Sequence, residues 1–231
     1  MNTSGFKIPL LAGIMIATVP TLAAASMAEP AIPAGWKLLS SVQGDLNRDG
    51  QADLVRVIEE DNPANHLKND GLGQSVLNIN PRRLQVFLQQ NGAYQPVLNT
   101  DRFLPSENNA DSHCLADPLQ EGGEVAVKNG LLHIQLHYWL SCGSWYVTHN
   151  AYTFRYQDGR FRLIGWDSSS FHRASGERSE YSHNYLTGKR KAVTGLNEFE
   201  PNARPKTRWT RLSGPQVWYL DALEPNQLSV E

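Results

Sequence analysis

Three times along this chain a dipeptide that tolerates positive φ separates two runs of alternating side chains. Asn91-Gly92 divides the run from Arg83 to Leu98, Asn129-Gly130 the run from Glu124 to His137, and Asp158-Gly159 the run from Ala151 to Ile164. Asn-Gly and Asp-Gly suit the type I′ turn, whose twist matches that of the strands it joins. In the third run Tyr152, Phe154 and Tyr156 alternate with Thr153, Arg155 and Gln157. That is the period-two pattern of a strand with one face inward. No stretch after the leader shows a long 3.6-residue period with helix caps. The expected fold is therefore all-β, built from antiparallel hairpins in a single domain of sandwich-like or propeller-like form. Residues 60–80 and 100–122, rich in Asn, Asp, Gly and Pro, are expected as loops, and Gln216–Leu220 as a late strand.

Residues 1–28 have the form of a secretory signal peptide. Lys7 is the only charge before Glu29, and Ile8 to Val19 form an apolar run too short for a membrane span. Ala23-Ala24-Ala25 and Ser26-Met27-Ala28 both offer a small-x-small cleavage site, after Ala25 or Ala28. No cysteine lies near either, so no lipid anchor is expected. Residues 29–231 would form the exported, periplasmic domain.

Export sets the redox expectation. The only two cysteines, Cys114 and Cys142, are both in the exported part. In an oxidising compartment an even pair favours one disulfide. A thiolate zinc site would want further soft ligands in C-x-x-C spacing, and none is present. Charge excludes another class: 21 Lys+Arg stand against 23 Asp+Glu, without the basic excess of a nucleic-acid binder.

The sharpest local motif is Asp45-Leu-Asn-Arg-Asp-Gly-Gln-Ala-Asp53. Oxygen side chains fall at its first, third, fifth and ninth positions. Calcium takes six to eight oxygens, and a tight loop with alternate side chains inward can supply them. Asp45, Asn47, Asp49 and Asp53 would ligate through side chains and Gln51 through its carbonyl, with Gly50 easing the turn. An EF-hand would carry Glu where Arg56 stands, and Leu54-Val55 with Val57-Ile58 reads as a strand. Asp53 must therefore close the cage. The string resembles the calcium loops of FG-GAP repeats, the blades of integrin-type propellers. It occurs once, which implies a local calcium staple and no propeller.

Catalytic constellations find little support. His133 and His137 lie in an alternating strand, where four residues span roughly 13 Å, too far to share one zinc. Cys142-Gly-Ser-Trp145 lacks the G-x-S-x-G elbow. Asp167, Ser168-Ser169-Ser170 and His172 supply triad residue types with no supporting spacing. The chain is not expected to be an enzyme.

Residues 151–191, from AYTFRYQDGRFRLIGWDSSSF to NYLTGKRK, resemble a group of secreted bacterial proteins that pair this segment with one FG-GAP-like loop upstream. That group includes periplasmic immunity proteins against lysozyme-like peptidoglycan hydrolases, similar in fold to inhibitors of invertebrate-type lysozyme. The resemblance implies a protein partner of that kind and a loop that enters its cleft. The matching segment is Tyr181 to Arg190. Thr187, Gly188, Lys189, Arg190 and Asn184 would face the catalytic acids, with Tyr181 and Tyr185 as aromatic anchors. The alternative expectation is a secreted calcium-dependent module binding carbohydrate or protein, for which six Trp and eight Tyr offer material.

Overall fold

The computed structural model of the chain describes Met1, residues 28–213 and residues 217–230. The signal-peptide expectation falls almost wholly outside the described residues, as does Gln216.

Thirteen strands, no α-helix and two short 3-10 turns, at Pro63–Asn65 and Pro225–Gln227, make up the regular structure of the described residues. Strands β1 (Trp36–Gly44), β2 (Asp53–Glu60), β3 (His66–Lys68), β4 (Val76–Asn78), β5 (Arg82–Gln90) and β6 (Ala93–Thr100) come first. After residues 101–123, which hold no strand, follow β7 (Glu124–Lys128), β8 (Leu131–Trp139), β9 (Tyr146–Gln157), β10 (Arg160–His172), β11 (Glu177–Asn184), β12 (Lys189–Asn197) and β13 (Lys206–Arg211). All pairings are antiparallel. One sheet runs β1-β2-β5-β6, a second β13-β12-β11-β10-β9-β8-β7, and β3-β4 form a small ribbon.

The three hairpins read from turn chemistry are present. Asn91, Asn129 and Asp158 have φ of 51°, 55° and 52°, and the glycine after each is also positive. They join β5 to β6, β7 to β8 and β9 to β10. Residues 60–80 are only partly loop, since β3 and β4 pair within them. The late strand is corrected: β13 covers Lys206–Arg211, while Trp218 to Leu220 make a single bridge. There the Leu163 amide donates to the Trp218 carbonyl (2.9 Å) and the Leu220 amide to the Phe161 carbonyl (2.9 Å). The physical reason is that β11 starts pairing with β10 only at Gly165. The β10 edge before that point is open, and two residues suffice to cover it.

Both large sheets feed one hydrophobic cluster. Val55, Val57, Leu84 and Val86 come from the four-stranded sheet, and Leu132, Ile134, Tyr152 and Phe154 from the seven-stranded sheet. This is the packing of a sandwich. The match in width is imperfect. Gly44 of β1 lies against Val127 of β7, so the smaller sheet sits at the β7 end. No residue of β12 or β13 belongs to the buried cluster. The larger sheet overhangs there, and its inward face is left without a covering sheet.

A buried ionic group ties the strandless segment to the core. The two terminal guanidinium nitrogens of Arg82 donate to both oxygens of Asp117, each at 2.6 Å, and its Nε donates to Glu59 at 2.9 Å. Lys37 and Asn78 complete Glu59 at 2.9 and 3.0 Å. The Cys114–Cys142 disulfide joins the same segment to the end of β8 with Cα atoms 5.4 Å apart, as the cysteine count led us to expect.

Candidate functional site

The Asp45–Asp53 loop connects β1 to β2 and is built on its own amides. Asp45 accepts from the backbone N–H groups of Arg48 (2.6 Å), Asp49 (3.1 Å) and Gly50 (2.9 Å). Asn47 accepts from Asp49 (3.1 Å), and Asp49 from Gln51 (2.8 Å). These bonds coil the loop so tightly that Arg48 and Gly50 take φ of 65° and 84°. The Asn47 side-chain amide donates to Asp49 (2.9 Å), gathering the third and fifth positions.

Asp53 behaves differently. It is fully buried, and its oxygens accept from the amides of Leu46 (2.7 Å) and Gln89 (2.9 Å). It thus clamps the loop to β5 from beneath. Burial pushes its carboxyl above the usual range against the pull of those amides, and the nearby Asp49 charge adds to the rise. In this geometry no three His, Cys, Asp or Glu side chains among the described residues gather tightly enough to hold an ion. The donor set itself is hard oxygen throughout and fits calcium. A Cβ placed on Gly130 would lie 3.1 Å from Arg48 Nε and 3.4 Å from the Asp45 carbonyl. The loop therefore rests on the β7–β8 turn and joins the two sheets.

The Tyr181–Arg190 segment does not stand clear of the fold, contrary to expectation. Tyr181 to Asn184 pair with β10 on one side and β12 on the other, and Lys189 and Arg190 are paired as well. Only residues 185–188 form a turn. Tyr185 is corrected from surface anchor to core residue: it is 7% exposed and sits in the central cluster. The cause is β alternation, which turns residues 181, 183 and 185 inward. The tip itself is capped from within. Asn184 Oδ1 accepts from the amides of Leu186 (3.1 Å) and Thr187 (2.9 Å), and Gly188 supplies φ of 64°. Asn184, Leu186, Thr187 and Lys189 are exposed at this tip.

Alternation splits the remaining residues between two faces. Tyr181 and Arg190 point to the inward face, with the Arg190 guanidinium 5.2 Å from the Tyr181 ring centroid. They border a groove of about 820 Å³ on the overhang, with His183, Lys206, Arg208 and Trp218. Its other wall is the C-terminal segment around Leu228. On the opposite face Ser182, Asn184, Thr187, Lys189 and Trp209 surround a shallower hollow of about 620 Å³, and Trp209 is 64% exposed. His183, Lys206, Arg208 and Trp218 were not singled out from the sequence. The run Lys206-Thr-Arg-Trp-Thr-Arg211 has a single apolar residue and is exposed almost throughout, so it carries no apolar alternation by which β13 could have been found.

The remaining candidates settle into the framework. Leu132, Ile134 and Leu136 face the core while His133 and His137 face outward; His137 stacks on His149, centroids 4.2 Å apart. His172 Nδ1 faces Ser175 Oγ at 2.9 Å and receives the Ser175 amide at 3.1 Å, a local turn contact and not one with Ser168, Ser169 or Ser170. Comparison of the chain with protein-family models, with curated proteins and with solved structures finds no match.

Proposed function

We propose that this chain is an exported inhibitor of a lysozyme-like peptidoglycan hydrolase, with the β11–β12 turn entering the enzyme's cleft. It acts by binding and not by catalysis. The observation that carries the reading is the capped turn. Asn184 spends its carbonyl oxygen on holding the tip, which leaves its amide nitrogen, the Thr187 hydroxyl and the Lys189 ammonium facing outward. A tip already locked in one shape loses little freedom on binding. Its donors and cation suit a cleft that carries two catalytic carboxyl groups. Calcium would be held by Asp45, Asn47, Asp49 and Asp53 with the Gln51 carbonyl, and would stiffen the β1–β2 connection far from the turn.

The test is inhibition of a panel of lysozyme-like hydrolases by the exported domain, beside the Thr187→Glu/Lys189→Glu variant. Wild type should block at least one enzyme, and the variant should lose tenfold or more in affinity, about 1.4 kcal/mol, with an unchanged melting curve. Absence of inhibition across the panel would overturn the function, and full inhibition by the folded variant would overturn the turn.

A second reading rests on Trp209. Its exposed ring beside Ser182, Asn184 and Lys189 is the kind of platform on which a sugar stacks. Binding to glycan fragments that is lost in Trp209→Ala, without hydrolase inhibition, would favour it.

A further inference from the structure

The overhanging end of the large sheet combines two features that the turn does not use. The first is charge. Arg190, Lys206 and Arg208 border the inward groove, Arg211 stands on the rim it shares with the opposite hollow, and no acidic side chain among the described residues lines it. None of the four makes an ion pair or side-chain hydrogen bond among the described residues. This is a local excess of four cations on a chain whose formal charge is −2. The second is an edge. β13 pairs with β12 on one side and has no strand on the other among the described residues. Half of its backbone N–H and C=O groups therefore face outward, a template for a further strand.

Charged side chains on an edge strand also serve to prevent unwanted pairing, and that alone would account for Lys206 and Arg208. It does not account for the floor. His183 is 3% exposed, and its Nδ1 lies 3.2 Å from the Trp166 carbonyl, to which it donates. Its Nε2 is buried at the groove with no hydrogen-bond partner, as is Arg190 Nε beside it in register. A buried polar atom without a partner is costly, and here it lies under a cavity large enough to admit a ligand.

We propose that this groove and the β13 edge together receive an extended acidic segment of a protein partner, added as an eighth strand. Lys206 and Arg208 are two residues apart and share the groove face. A strand laid beside β13 presents every second side chain to that face, at a spacing of about 6.7 Å. Acidic residues at alternate positions would meet Lys206 and Arg208, while its backbone pairs with β13 and Arg190 on β12 adds its positive charge from the next strand in. Affinity comes from the main chain and selection from the alternate side chains. An anionic glycan could satisfy the cations but not the row of backbone donors and acceptors. The inference stands independently of the hydrolase reading, because it needs only the groove and the edge.

The probe is a labelled eleven-residue peptide with glutamate at alternate positions and threonine between, followed by fluorescence anisotropy with the exported domain at low salt. Three competitors accompany it: the same composition with glutamates in one block, an alternating peptide N-methylated at every second amide, and a sulfated oligosaccharide. The alternating peptide should bind at least tenfold tighter than the block and the N-methylated peptides. Lys206→Glu/Arg208→Glu should lose that binding, and Arg208→Ala alone should weaken it if the double variant fails to fold. Equal affinity for alternating and block peptides, preference for the oligosaccharide, unchanged binding by the folded variants, or no binding at all would each overturn the proposal.

Discussion

Replacing Arg82 with methionine removes the cation that two buried acids share. Arg82 is 1% exposed, and all its contacts to Asp117 and Glu59 lie between 2.6 and 2.9 Å. Methionine fills much of the stem's volume, so the cost is chiefly electrostatic. Breaking a buried pair by deleting one partner costs about 3–5 kcal/mol. Glu59 retains Lys37 and Asn78, so the loss falls mainly on Asp117 and should sit near the lower end of that range. For a domain of this size the melting temperature should fall by about 6–12 °C. The pH dependence supplies a second check. In the wild type burial pushes Asp117 up, but the hydrogen bonds and charge of Arg82 outweigh it and hold the carboxyl below its ordinary 3.8. A carboxyl so depressed contributes stability that is complete above the unfolded value and is lost as pH falls through the folded one. In the variant only burial and two amides act on Asp117; its folded value rises, and its contribution weakens as pH increases. The stability gap should therefore be widest at neutral pH and close in acid. Urea unfolding of both proteins at neutral pH, and stepwise into acid below the ordinary 3.8 of Asp117, measures it. A neutral gap below about 1 kcal/mol, within the range of ordinary surface pairs, or a gap constant with pH, would refute the argument.

Tyr185→Ala should cost about 3–5 kcal/mol as a core truncation, whereas Thr187→Ala, two residues on in the same turn and in solvent, should stay within about 0.5 kcal/mol; equal denaturant midpoints would contradict the burial. Burial pushes the phenols of Tyr138 and Tyr185 up to about 12, so ultraviolet titration should find them ionising well above the ordinary 10 for as long as the fold survives. Calcium at a hundredfold excess over its dissociation constant should stabilise the native state by about 2.7 kcal/mol, and Asp49→Ala should abolish that response; identical melting with calcium and with chelator would dismiss the site. Reducing Cys114–Cys142, which are separated by 28 residues, should cost roughly 3 kcal/mol in the chain-entropy account, and two reactive thiols in denatured, unreduced protein would disprove the bond.

What the sequence determines by itself is whatever depends on neighbours along the chain. Asn91-Gly92, Asn129-Gly130 and Asp158-Gly159 announce hairpins because a type I′ turn is decided by two residues' φ preferences and the strands by their own alternation. The body of the Asp45–Asp53 loop is legible for the same reason: Asp45 and Asp49 bind amides two to five residues away, whereas the clamp of Asp53 on Gln89 spans 36 positions and is not. Tertiary structure decides everything that requires distant strands to meet. Arg82 reaches Asp117 across 35 positions and Glu59 across 23, and no local pattern marks the three as one group. Tyr185 looks like a surface aromatic in NYLTGKRK and becomes core only because the register with β10 turns odd residues inward. The basic groove exists because seven strands pack on four, and the uncovered remainder of the large sheet happens to carry Arg190, Lys206 and Arg208 on its inward face. Sheet width and register are long-range quantities, and the chain specifies them only through the packing of the whole core.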